Sequence, residues 1–310
     1  MRPRSRLHPG AAKGGGGRGV GIGLVAVSAC AFGALAILAK VAYASGAEPV
    51  AVLCARFGIA AVCMVALMVA RGERFPTGRV LAVLALLGGV GYVGQSLSFF
   101  TAARLVPASL ASLLLYVYPA IVAVLAAVFL RQRLAGVRLL ALLLALAGCA
   151  LTVGRADGGQ PLGIALALVS ASFYACYIIV GSRVTPHAGA IPSSTVVICS
   201  AALVYGLLAL ARRPDFPGDA AGWVAVVSLA MLSTVVAIVT FFAGLERVGP
   251  ADASTISALE PLVTVALATA VLGESVTIAQ LAGGALILTA VVVLARSGRQ
   301  RLLPEEGPPA

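Results

Sequence analysis

Residues 253–276 read ASTISALEPLVTVALATAVLGESV, and residues 111–134 read ASLLLYVYPAIVAVLAAVFLRQRL. Ala111-Ser112 returns as Ala253-Ser254, Pro119 as Pro261 and Leu134 as Val276, all at an offset of 142 residues. Phe99-Phe100 returns as Phe241-Phe242 at the same offset. The chain therefore reads as an internal duplication, with halves at 19–154 and 161–296. In each copy a proline interrupts a stretch that is otherwise apolar enough to cross a bilayer.

The composition agrees. The 310 residues are 61% hydrophobic and 11% charged, with a mean hydropathy of +1.06. An ordinary soluble domain is about 25% charged, and a fold of this size has no interior large enough to hide so much apolar side chain. Disorder is excluded too, because it needs low hydrophobicity. The six cysteines all lie inside apolar runs with no CxxC spacing, so they read as small packing residues.

A spanning helix needs about 20 mostly apolar residues. Ten segments qualify: 19–43, 50–70, 80–103, 106–130, 136–154, 161–183, 191–211, 220–244, 250–272 and 277–296. The expectation is an all-α integral membrane protein with ten transmembrane helices in two inverted five-helix repeats. An odd number of spans per half turns the second half upside down relative to the first, around an axis in the membrane plane. Residues 1–18 read as a flexible basic cytoplasmic tail, 155–160 as a linker and 297–310 as a cytoplasmic C-terminal tail. The run from Gly19 to Ala39 is too long for the apolar part of a secretory leader and reads as a retained first span.

The net charge of +11 would point to nucleic acid in a soluble protein. Here the basic residues cluster at the ends of apolar runs. With ten spans, sixteen Lys and Arg fall on one side of the membrane and four on the other. The positive-inside rule then puts both termini in the cytoplasm of a multi-pass protein of the cell membrane.

The chain resembles the EamA-type carriers of the drug/metabolite transporter superfamily. The resemblance rests on Ala108-Ser109-Leu110-Ala111-Ser112 leading to Tyr118-Pro119, and on Ala251-Asp252-Ala253-Ser254 leading to Glu260-Pro261 and Leu272-Gly273-Glu274. Arg56-Phe57 and Gly283-Gly284 also fit, and the likeness covers 19–296. One departure concerns the first copy, where Arg131-Gln132-Arg133 replaces the usual Gly-Glu-Arg, so the counterpart of Glu274 is Gln132. The resemblance implies a secondary transporter of small metabolites, commonly an exporter.

Glu260 lies about ten residues into its span, or about 15 Å deep at ~1.5 Å per residue. A charged side chain there costs about 2.5–3.5 kcal/mol on the insertion scale. It reads as a substrate or proton-coupling carboxylate, against a structural cap for a loose carbonyl. Pro261 strengthens the first reading: it clashes with the Ser257 carbonyl and frees a polar acceptor at depth, as Pro119 does for Leu115. Paired interruptions in two halves point to a binding site. Ser257, Glu260 and Thr264 share one helix face.

Further polar groups fall on other spans: Ser170, Tyr174 and Tyr177 on the sixth, Tyr92, Gln95 and Ser96 on the third, Ser109, Ser112 and Tyr116 on the fourth. Individually each reads equally well as helix packing; together they read as the lining of a central cavity. Arg56 is open between drawing an anionic ligand and snorkelling, whereas Lys40, at a helix end, reads as snorkelling to the headgroups. Asp252 reads as a helix cap.

The enzyme patterns fail. Gly21-Ile22-Gly23 lies in a spanning helix with no strand before it, and neither a P-loop nor HExxH is present. The expectation is no enzyme, no cofactor, no metal and no nucleic acid. The partners would be a small-molecule substrate and membrane lipids, with a homo-oligomer left open. The function expected is alternating-access transport with proton coupling through Glu260, and with export, which the resemblance implies, as the first choice of direction. The alternatives are an uptake permease, or a channel or scramblase.

Overall fold

The structure, a computed structural model, describes residues 15–129, 136–153, 160–248, 253 and 256–299. Gln132 and Asp252, and most of the expected linker, lie outside the described residues. Every element is helical, with no strand among the described residues.

The first apolar run folds as α1 (Gly15–Gly33) and α2 (Leu35–Ala44), with the break at Ala34. α1 begins inside the segment expected as a tail, because its backbone hydrogen bonds continue past the apolar run. α3 (Pro49–Ala70) starts on a proline, which suits a first turn whose N–H has no helical acceptor anyway. The next run comprises α4 (Gly78–Leu86), a π-helical turn at Leu87–Tyr92, and α5 (Val93–Leu105). α6 (Ala108–Leu115) and α7 (Tyr118–Phe129) follow, parted at Tyr116 and Val117, and then α8 (Gly136–Val153).

The second half opens with α9 (Pro161–Ala188) and α10 (Ala190–Arg212). α11 (Ala220–Ala230) is capped by Asp219, whose carboxylate accepts the Gly222 N–H at 2.8 Å. A second π-helical turn, Met231–Val236, leads into α12 (Ala237–Val248). Past a break at Ala258, α13 (Leu259–Leu272) ends on Gly273, whose φ of 65° is the left-handed conformation that glycine adopts freely. α14 (Ile278–Arg299) is the last.

Six of these runs are long and apolar enough to cross a membrane, and four further apolar helices are shorter: Ala108–Val122, Leu139–Leu151, Leu259–Leu272 and Ile278–Val293. Large apolar side chains stand exposed on the outside, among them Val62, Leu86, Leu203, Leu210 and Ile278. In water such a surface would aggregate; facing lipid it is the expected coat.

Four helix pairs dominate the packing. α1 lies along α12, α5 along α9, α3 along α10, and α8 along α14. Small residues let the backbones approach. A Cβ on Gly148 would meet the Gly283 carbonyl at 2.6 Å, and one on Gly244 would meet the Gly21 carbonyl at 2.9 Å. Such close contact is how helices hold together where lipid removes the hydrophobic drive between them. The largest buried cluster includes Leu53, Phe57, Phe100, Leu110, Ile198 and Leu229, drawn from both halves.

Candidate functional site

Three helix breaks and the first π-helical turn border a cavity of about 320 Å³. Irregular backbone at membrane depth survives only where protein or a cavity satisfies its polar groups, and the breaks at Ala34 and Ala258 have such partners. Pro261 takes the third position of α13, where its absent N–H breaks no helical bond. The carbonyl of Ser257 is thereby freed, and the Tyr116 hydroxyl lies 2.9 Å from it. The same hydroxyl lies 2.8 Å from Glu260 Oε2. At the first break, the Gly33 carbonyl accepts the Thr264 hydroxyl at 2.9 Å, and the Ser233 hydroxyl donates to the Ala31 carbonyl at 2.6 Å.

The candidate residues read from the sequence meet at this cavity. Arg56, Tyr92 and Gln95 line it from the first half together with Tyr116. Tyr174, Tyr177, Ser257, Glu260 and Thr264 line it from the second. Pro119 and Pro261 do not line it; they sit in the first turns of α7 and α13 and set the breaks that shape it. Ser112 lines the cavity, whereas Ser109 is at the start of α6 and Ser170 in the contact between α5 and α9. There Ser170 Oγ donates to the Gln95 carbonyl at 2.9 Å, and Gln95 Nε2 donates back to Ser170 Oγ at 3.2 Å. Those two bonds fix the glutamine on its helix.

Rings pave the wall. Phe57 meets Tyr92 edge-on at 5.4 Å, Tyr92 stacks with Tyr177 at 5.6 Å, and Tyr177 with Tyr174 at 6.1 Å. Tyr174 meets Tyr118 at 4.7 Å, and Tyr118 meets Tyr116 at 5.8 Å. The series runs unbroken from the ring under Arg56 to the phenol on Glu260. Edge-to-face and offset contacts of this kind hold rings in fixed orientations.

Arg56 is 2% exposed. Its guanidinium lies over Phe57 at 4.9 Å and Phe100 at 5.3 Å. Its Nε donates to Thr234 Oγ1 at 2.9 Å, and Nη2 lies 3.5 Å from the Ser233 carbonyl. Among the described residues no carboxylate pairs with it.

Sequence reasoning passed over several lining residues. Phe99-Phe100 and Phe241-Phe242 were visible as repeat markers, and all four rings line the cavity; their recurrence at equivalent depth was the signal. Tyr118 beside Pro119 is another. Ser233 and Thr234, which hold Arg56, gave no sequence signal, being 177 and 178 residues away. Lys40, expected to snorkel to the headgroups, is partly exposed and has its Nζ 4.0 Å from Glu274 Oε1. Among the described residues no group of three or more His, Cys, Asp or Glu is arranged to hold a metal ion.

Comparison with known proteins fits this geometry. Residues 19–154 and again 161–296 match the EamA-like transporter family. The chain is 25% identical over 248 residues to the uncharacterized inner membrane transporter YedA of Escherichia coli strain K12, covering 77% of this chain and 79% of that protein. The YedA proteins of E. coli O6:H1 and O157:H7 match with the same identity and coverage. One solved structure, titled only as the crystal structure of a protein, superposes with a TM-score of 0.66 at 21% identity, over 92% of this chain and all of that one. That likeness concerns the fold.

Proposed function

The chain belongs to the EamA-like transporter family, within the drug/metabolite transporter superfamily, and from that premise we propose that it exports a small metabolite by alternating access, with Glu260 as its proton-coupling carboxylate. It is a multi-pass inner-membrane transporter and not an enzyme.

The reading takes the six long and four shorter apolar helices as ten spans in two inverted five-helix repeats, 19–154 and 161–296, with both termini cytoplasmic. The packing pairs support it. At the 142-residue offset, α1 corresponds to α9 and α5 to α12. The contacts α1–α12 and α9–α5 are then the same contact seen twice. The pairs α3–α10 and α8–α14 each join a helix to its own counterpart. A two-fold relation between the halves produces this pattern. So do the two π-helical turns, one in the third run of each half. Inverted halves can exchange conformations, opening a midplane site to one side and then the other.

The observation that carries the coupling is the Tyr116 hydroxyl, placed between Ser257 O and Glu260 Oε2. A phenol has one proton. With Glu260 protonated, both contacts are hydrogen bonds: Glu260 donates to Tyr116, and Tyr116 donates to the Ser257 carbonyl. With Glu260 ionised, it takes the phenol proton as acceptor, and the freed carbonyl is left without its donor. A buried acceptor without a partner costs about 1–3 kcal/mol. Proton release therefore bears directly on the grip of Tyr116 on the broken ninth span. The titratable groups near Glu260 are Tyr116, Tyr118 and Tyr174, and among the described residues no cation pairs with it. The remaining lining residues, Tyr92, Gln95, Tyr177, Thr264 and Arg56, would contact the substrate.

The test compares small molecules outside and inside cells expressing the wild type, Glu260→Gln, or an empty vector. A compound enriched outside with the wild type alone supports export through a site that needs Glu260. Enrichment with both proteins, unchanged when the pH gradient is collapsed, removes the coupling role.

A further inference from the structure

Arg56 is the feature of the cavity that the coupling scheme leaves unexplained. A guanidinium taken out of water is expensive, and intramembrane cations pair with an acid or with backbone carbonyls. Arg56 is 2% exposed. It has the Thr234 hydroxyl on Nε, a distant carbonyl at 3.5 Å, the Tyr92 phenol within hydrogen-bond reach, and two rings under its plane. Among the described residues it has no carboxylate partner, although Lys40, half-exposed at the end of the bundle, has Glu274. The cation is held firmly all the same. Thr234 Oγ1 accepts from Arg56 and donates to the Leu229 carbonyl at 2.9 Å, a bond five residues back that the π-helical turn makes available. Phe57 beneath it stacks flat on Tyr205 at 5.4 Å. A charge anchored so carefully at a cavity wall, with no counter-charge among the described residues, is preorganised for an anion that arrives from outside the protein.

Resting on the carrier reading, we infer that Arg56 is the anion subsite of the transported molecule, which is a small carboxylate with a flat, apolar or aromatic body. The carboxylate class follows from the guanidinium, whose planar fork matches two oxygens. The body follows from the wall. Tyr92 and Phe99 stand with Arg56 around the cavity, Phe241 and Phe242 face them from the second half, and the tyrosine series continues toward Glu260. A volume of about 320 Å³ suits a molecule of one ring, at the low end of ligand sites. The cation and the acid sit at opposite ends of the ring series, so anion binding and proton binding use different groups.

The experiment uses purified full-length protein in detergent micelles. Binding of benzoate, its neutral isostere benzamide, and inorganic phosphate is measured by calorimetry and by ligand-induced thermal stabilisation. Benzoate is expected to bind at least about tenfold tighter than benzamide and to outcompete phosphate at equal concentration. Arg56→Gln is expected to abolish that preference, and Arg56→Lys, which keeps the charge without the fork, to weaken it. Should Arg56→Gln fail to fold, the Lys variant and the ligand pair on the wild type still decide the matter. Equal binding of benzoate and benzamide, no binding of either, or unchanged benzoate binding by Arg56→Lys overturns the proposal. Phosphate binding as well as benzoate overturns the assignment of a flat body. The export comparison separates this from the carrier reading. An exported compound with no anionic group leaves the exporter standing and removes the Arg56 subsite. The absence of any exported compound strikes the exporter reading, while benzoate binding remains measurable.

Discussion

Glu274 accepts the backbone N–H of Ala108 at 2.7 Å, across 166 residues of chain. Its other oxygen takes the Ser109 N–H at 3.1 Å and the Ser109 hydroxyl at 2.8 Å. A carboxylate just past the end of α13 thus caps the first turn of α6 in the other half, where N–H groups lack helical acceptors and the dipole favours negative charge. Glu274→Ala is expected to destabilise the protein by about 1–2 kcal/mol, the usual loss for an N-cap. Glu274→Gln keeps one acceptor and should lose less. Thermal unfolding in micelles checks the order; equal stability of all three would contradict a capping role.

The shared phenol proton gives a second prediction. Tyr116→Phe removes the donor for the Ser257 carbonyl and the partner of Glu260. The expected cost is about 1–3 kcal/mol of stability. The larger effect falls on coupling. In proteoliposomes loaded with the exported compound, wild-type efflux is expected to rise as the opposite side is made more acid. Tyr116→Phe should flatten that response, as Glu260→Gln does, and the double variant should be no flatter than either single one. Independent, additive effects would mean that the two groups do not act as a unit.

A third prediction concerns the close approach of α1 to α13. A Cβ on Gly33 would meet the Glu260 carbonyl at 2.8 Å and the Val263 side chain at 2.9 Å. Gly33→Val must push α13 away from the break that Thr264 seals, at about 1–3 kcal/mol for overpacking. Gly23→Ala, ten residues earlier on the same helix, meets nothing within 4 Å. It should be neutral or stabilising by up to about 1 kcal/mol, the helical cost of glycine relative to alanine. Melting temperatures of the two variants, measured side by side, give the comparison.

What the sequence made legible was whatever violates the chemistry of a membrane. Glu260, Arg56, Pro119 and Pro261 stand out because a bilayer penalises each of them, and the penalty requires a compensating arrangement. The tyrosines and Gln95 followed from their spacing on helix faces. The break at Ala34 did not, since Gly33 is one glycine among 35 and its carbonyl is satisfied by Thr264, 231 residues away. The two π-helical turns were equally hidden. They depend on an extra residue being absorbed in the backbone ladder, and no residue type marks that choice. The contact of Lys40 with Glu274 was hidden as well, because Glu274 arrives from the other half.

The hold on Arg56 yields the last prediction. Thr234 Oγ1 is the acceptor for Arg56 Nε and also donates to the Leu229 carbonyl. Thr234→Val preserves shape and removes both bonds. The Nε–H at the cavity wall is then left without its protein partner, which costs about 2–3 kcal/mol for a charged donor. Thr234→Ser keeps the hydroxyl and should stay within about 1 kcal/mol of the wild type. The two variants also separate positioning from packing. If Thr234 orients the cation for an incoming carboxylate, Thr234→Val weakens benzoate binding while Thr234→Ser retains it, because only the latter keeps the fork aimed. If the threonine were filling space alone, the isosteric valine would bind benzoate as the wild type does and the smaller serine would be the poorer variant. Calorimetric titration of the pair therefore reads the role of a single hydroxyl within a π-helical turn.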